Sequence, residues 1–278
     1  MIRKDHKVRS LTIWKFLSAI AVSLLCACSA KPFAETNRLY KKQVKQYAKI
    51  LRRMPLTDSL HSASNWVGTT HFNLRKPNYV IIHHTAQNSC AQTLKTFTSP
   101  KSPVSAHYVI CRDGTVYHML NDYLRAWHGG VSRWGSISDI NSSSIGIELD
   151  NNGAEPFPEM QVSSLLNVLS ALKNAYAIPE SNFIGHADVA PARKQDPSRH
   201  FPWKTLAEKG YGLWYPDTTG LAVPEYFSTV EALRLIGYDT KDSTATIKAF
   251  KLHFLADTVP GMTHAARKIL YSLQKKYQ

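Results

Sequence analysis

Tyr79-Val80-Ile81-Ile82-His83-His84 opens on four apolar residues and closes on two imidazoles. The apolar part, Tyr79 to Ile82, reads as a buried strand, because a short, largely β-branched run suits a strand covered on both faces. Two later segments share the pattern. Ser144-Ile145-Gly146-Ile147-Glu148-Leu149 is apolar with one carboxylate near its end, and Phe183-Ile184-Gly185-His186 ends on another imidazole. Side chains at strand ends are held rigidly, as a reacting site requires.

Working outward, Ala91 to Phe97 suggests a helix and His107 to Cys111 a second strand. Arg112-Asp113-Gly114-Thr115 turns that strand into Val116 to Leu120, a hairpin signature. Glu159 to Tyr176 is a strongly periodic helix. This mixed order of strands and helices predicts an α/β fold, a mixed central sheet flanked by helices. Residues 213–224 are rich in Pro, Gly and Asp and mark a boundary. Beyond it, Phe227 to Leu235, Thr244 to His253 and Thr263 to Lys275 read as helices, punctuated by Gly237 and Pro260-Gly261. They predict a small C-terminal three-helix domain over 225–278.

The other end speaks to compartment. Arg3, Lys4, Lys7 and Arg9 precede a short apolar stretch, Phe16 to Leu25, and then Leu25-Cys26-Ala27-Cys28. That run resembles a bacterial lipobox, so residues 1–27 are expected to be a lipoprotein signal peptide and Cys28 the lipidated residue. By the same resemblance, Ser29 points to an exported, periplasm-facing protein sorted to the outer membrane. Residues 28–65 then form a tether. Within it, 37–55 reads as a basic amphipathic helix ended by Pro55, either lying on anionic lipid or docked with its basic face in solvent.

The 278 residues carry a formal net charge of +14, which attracts a polyanion without naming it. Nucleic acid, anionic lipid and peptidoglycan are all candidates. Basic and aromatic residues interleave only in the 37–55 helix, so no nucleic-acid partner is expected. No apolar run reaches 18 residues, which excludes a multi-pass membrane protein.

His83, His186 and Asp196 form a candidate metal set. Two imidazoles and a carboxylate, leaving a fourth position open, suit catalytic zinc, and one negative charge leaves the ion acidic enough to activate water. Spacing alone is weak support among 12 histidines. No HExxH helix is present.

The surrounding words add specificity. Besides the segments above, Ser105-Ala106-His107-Tyr108-Val109-Ile110, Ala126-Trp127-His128-Gly129-Gly130 and Gly185-His186-Ala187-Asp188-Val189-Ala190-Pro191 follow in order. Together they resemble the type-2 N-acetylmuramoyl-L-alanine amidases over roughly residues 76–215. The resemblance implies a zinc amidase domain (66–218) with one Zn2+ per chain, held by His83, His186 and Asp196. It implies cleavage between N-acetylmuramic acid and L-alanine in peptidoglycan or muropeptides, for cell-wall turnover. Glu148 matches the catalytic glutamate and Lys194 the lysine facing the reacting carbonyl. His84, His107, Trp127 and His128 are expected to contact substrate, with a core role open for the last three. The C-terminal helices resemble peptidoglycan-binding domains. The alternative is a lipoprotein that recognises peptidoglycan without cutting it. One departure stands out: after Asp196-Pro197, relatives run Gly-Pro and an aromatic, but this chain has Ser198-Arg199-His200-Phe201-Pro202-Trp203.

Overall fold

The computed structural model describes residues 32–52, 71 and 74–277. They fall into two units that divide after Thr70. The expected leader and Cys28 lie outside the described residues, as does most of the stretch between the two units.

The first unit contributes helix α1 (Ala34–Leu51). It begins three residues before the expected start, with Phe33 left-handed at its N-cap and Glu35 in the first turn, where a carboxylate meets the positive end of the helix dipole. Arg38, Lys41, Lys42, Lys45 and Lys49 recur at helical spacing along one side, and Tyr40, Val44, Tyr47 and Leu51 along another. It ends at Leu51, and the expected stop at Pro55 lies outside the described residues. Among the described residues, no helix is long and apolar enough to cross a membrane.

The second unit runs β1 (Tyr79–His84), α2 (Cys90–Thr98), β2 (Tyr108–Ile110), β3 (Val116–His118), α3 (Ile140–Ser143), β4 (Ser144–Leu149), α4 (Glu159–Tyr176), β5 (Phe183–Gly185), α5 (His186–Val189), α6 (Trp203–Glu208), α7 (Thr229–Ile236), α8 (Ser243–Leu255) and α9 (His264–Tyr277). Ser89, Ser228 and Asp242 cap α2, α7 and α8, each accepting a backbone N–H of the first turn. The strands form one mixed sheet in the order β3-β2-β4-β1-β5. β1 runs parallel to both β4 and β5, and only β3 is antiparallel.

The two-residue pleat sorts side chains onto two faces. On one, Val80, Ile82, Ile145, Ile147 and Leu149 meet Leu165, Leu169 and Leu172 of α4. On the other, Ile81 and Ile184 join Trp134, Ile140 and the C-terminal helices through Leu233, Phe250 and Leu270. Residues 225–278 therefore share a core with the sheet. Gly237 ends α7 at φ 130°, and a Cβ there would come within 2.5 Å of the Trp134 ring. Cys90 and Cys111, whose pairing the sequence leaves open, form a disulfide across 21 residues. Closing that loop restricts the unfolded chain by roughly 3 kcal/mol, and it ties α2 to the end of β2.

Candidate metal centre and cleft

The carboxyl ends of β1, β4 and β5 lie side by side, where open α/β sheets place their ligand sites. His83 sits in register with Glu148 across β1 and β4, and His186 follows β5 directly. Asp196 is brought in by the loop after α5, where the Ala187 N–H donates to the Asp196 carbonyl at 2.7 Å. His83 Nδ1, His186 Nδ1 and Asp196 Oδ2 converge at 2.9–3.1 Å from one another.

The hydrogen bonds assign the tautomers. The Ser144 hydroxyl donates to the Ile140 carbonyl at 2.6 Å, so toward His128 Nε2, at 3.2 Å, its oxygen accepts. His128 Nδ1 is then bare and accepts from His83 Nε2–H at 3.0 Å. His186 Nε2–H donates to the Gly129 carbonyl at 3.1 Å. Both Nδ1 atoms therefore present lone pairs to the same point. Burial lowers the His83 pKa to about 4 and holds His128 well below its ordinary value, so neither carries a proton to spare at neutral pH. Two lone pairs and an anionic oxygen at this separation repel unless a cation lies among them. The spacing approaches the roughly 3.3 Å edge of a tetrahedron whose centre is about 2 Å from each donor. The donor set fits a zinc ion.

Beside it lies a cleft of about 330 Å³ lined by Glu148, Lys194, His84, His128 and Trp127, among others. Glu148 Oε2 has no hydrogen-bond partner. Burial, with Asp196 adding to it, raises this carboxyl to about 8, and Lys194 opposes the shift. Trp127 stands at the lip, 59% exposed, with Arg125 over its ring at 4.4 Å. Thr96 and Phe97 of α2 form part of the wall.

The remaining expected residues have distinct places. His84 lines the cleft and its Nδ1 accepts the Ser198 N–H at 3.1 Å, so it also anchors the loop that departs from the family pattern. Arg199 does not line the cleft. His107 is fully buried and away from the cleft lining; its Nδ1 accepts the Gly146 N–H at 3.0 Å and its Nε2–H faces the Leu124 carbonyl. Sequence reasoning missed Ser144 and Gly146. A Cβ at Gly146 would come within 2.4 Å of the His128 ring, so only glycine admits that ring. The alternation in Ser144-Ile145-Gly146-Ile147-Glu148 carries the signal: its small and polar letters share one face.

An unpartnered carboxyl group beside an open two-histidine, one-aspartate donor set is the equipment of a hydrolase. Residues 73–199 match the family described as N-acetylmuramoyl-L-alanine amidase. The N-acetylmuramoyl-L-alanine amidase AmiD of Escherichia coli (strain K12) is 31% identical over 231 residues, spanning 71% of this chain and 82% of that protein. The 1,6-anhydro-N-acetylmuramyl-L-alanine amidase AmpD of Haemophilus influenzae is 37% identical over 102 residues, 36% of this chain and 55% of its own length. A solved complex of E. coli AmiD with anhydro-N-acetylmuramic acid-L-Ala-D-gamma-Glu-L-Lys superposes with a TM-score of 0.66 at 28% identity, covering 76% of this chain and 93% of that one. The chain belongs to the type-2 N-acetylmuramoyl-L-alanine amidase family.

Proposed function

We propose that this protein hydrolyses the amide between N-acetylmuramic acid and L-alanine in muropeptides or peptidoglycan, using zinc held by His83, His186 and Asp196. The observation that carries the reading is the convergence of two bare Nδ1 atoms and a carboxylate beside the unpartnered Glu148. When bound, zinc polarises the amide carbonyl and makes the attacking water more acidic. Glu148 takes the proton from that water and returns it to the departing alanine nitrogen. Lys194 faces the carbonyl oxygen and stabilises its developing charge. Trp127 offers its uncovered ring face to a sugar or peptide at the cleft lip.

The role is cell-wall turnover, carried out by a lipoprotein exported and held on a membrane, the outer one, through Cys28. Residues 66–218 form the amidase portion, and the C-terminal helices carry the peptidoglycan-binding likeness. The decisive experiment digests purified muropeptides and whole sacculi, with chelator and with chelator followed by zinc, and reads products by mass spectrometry. Free peptides beginning with L-alanine, lost with chelator and restored by zinc, are expected. Tight binding with every muropeptide left intact would replace the amidase by a recognition protein. For the anchor, mass spectrometry of membrane-extracted protein should find acyl chains on Cys28, and Cys28→Ala should be released to the soluble fraction.

A further inference from the structure

A second polar cluster lies under the metal set, between the sheet and the C-terminal helices. Its centre is the carboxylate of Asp188, 1% exposed, two residues after His186 in the single turn of α5. Three donors converge on it. The Gly185 N–H donates to Oδ2 at 2.7 Å, the Tyr238 hydroxyl to Oδ1 at 2.6 Å, and His253 Nδ1 lies 2.7 Å from Oδ2. Tyr238 follows α7 and His253 belongs to α8, so two of the three come from the C-terminal helices. The His253 ring is itself fixed, stacked on Trp203 at 3.8 Å and 12°.

The arrangement clamps the backbone on both sides of His186. Before it, the Gly185 N–H is held by Asp188; after it, the Ala187 N–H is held by the Asp196 carbonyl. His253 Nε2 is buried with no partner and borders a space of about 10 Å³, room for roughly one water. A seam built only for cohesion would be held as well by apolar side chains, without leaving a buried nitrogen unsatisfied. Here the polar groups are all directed at one carboxylate beside one metal donor.

We propose that the C-terminal helices position the metal ligand His186 through Tyr238 and His253, which hold the Asp188 carboxylate, and so form part of the metal site. This rests on the reading that His186 holds zinc. Tyr238 and His253 are positioning residues: neither touches the ion or the cleft.

The test measures zinc affinity of the full-length protein by competition with a chromophoric chelator, with amide exchange over Gly185–Val189 followed in parallel. His253→Phe keeps a ring over Trp203 and removes the donor; Tyr238→Phe deletes one hydroxyl. Each should weaken zinc binding about tenfold, as loss of outer-sphere partners does, and speed exchange at Gly185 and Ala187. His253→Asn, which restores an N–H near the Nδ1 position, should recover most of the affinity. Ile269→Val, in the same helical core, should lower stability and leave zinc affinity unchanged. If wild type binds zinc and folded Tyr238→Phe binds within twofold of it, the positioning role is overturned. That variant decides the matter should His253→Phe fail to fold. If wild type binds no zinc, or His186→Ala binds it equally well, the metal reading itself falls and the inference with it.

Discussion

The two faces of one sheet are built to different ends. The face under α4 is apolar throughout: Val80, Ile82, Ile145, Ile147 and Leu149 against Leu165, Leu169 and Leu172, with Phe183 beside them. The opposite face is apolar at Ile81 and Ile184 but carries polar groups along β4 and at the end of β1, from Ser144 at the start of β4 to Glu148 and His83 near the carboxyl ends, with the His128 ring laid on Gly146 between them. The first gains stability from buried area. The second gives up part of that gain to hold polar groups in fixed tautomers around one point. Cohesion and chemistry are thus separated by direction, within the same strands.

That separation can be broken from the chemical side. Glu148→Gln should lower turnover about a thousandfold, while zinc content stays at one per chain and the melting temperature does not fall; product assays with metal analysis check this. A variant keeping more than a tenth of wild-type turnover would remove Glu148 from the proton path.

Leu169→Ala probes the other face. A buried leucine there should cost about 3 kcal/mol in urea unfolding, with kcat/KM of the remaining folded protein within twofold of wild type. A large loss of activity per folded molecule would show that the faces are not independent.

A smaller effect lies in pH. In the metal-free fold burial raises Glu148 to about 8 from an ordinary 4.5. The native state therefore gains from the bound proton below pH 4.5, and that gain is lost as pH rises through 8. Since Glu148 is only half-buried at the cleft wall, the loss should be on the order of 2 kcal/mol. Metal-free Glu148→Gln should show a flatter stability profile between those values, measured by denaturant titration across pH.

The smallest effect belongs to the rim. Trp127→Ala should raise KM several-fold, about 1 kcal/mol, with kcat unchanged; a drop in kcat alone would place the ring closer to the reacting bond.

Much of the fold was legible because it rests on local periodicity. The apolar runs at Tyr79, Ser144 and Phe183 became adjacent strands, and Glu159–Tyr176 is helical over the expected residues. The convergence of His83, His186 and Asp196 was legible through ordered words rather than spacing. What stayed hidden has no local signature. The Asp188–His253 contact spans 65 residues, and neither residue departs from the pattern of its own element. His128 could be noticed as a histidine near the cleft, but its part in setting the His83 tautomer depends on Ser144 and on the empty side of Gly146. The helix α6 at Trp203–Glu208 was missed because its apolar residues complete the core under α4 instead of forming a periodic stripe of their own.

The pleat of β4 has a consequence for the ways this sequence can change. Its six residues spell two messages on alternate letters, Ser144, Gly146 and Glu148 for one face and Ile145, Ile147 and Leu149 for the other. Point substitutions edit one message at a time. A single inserted or deleted residue would transpose them, carrying the carboxylate into the aliphatic layer and a leucine into the cleft. Length changes in this strand are therefore restricted to even steps.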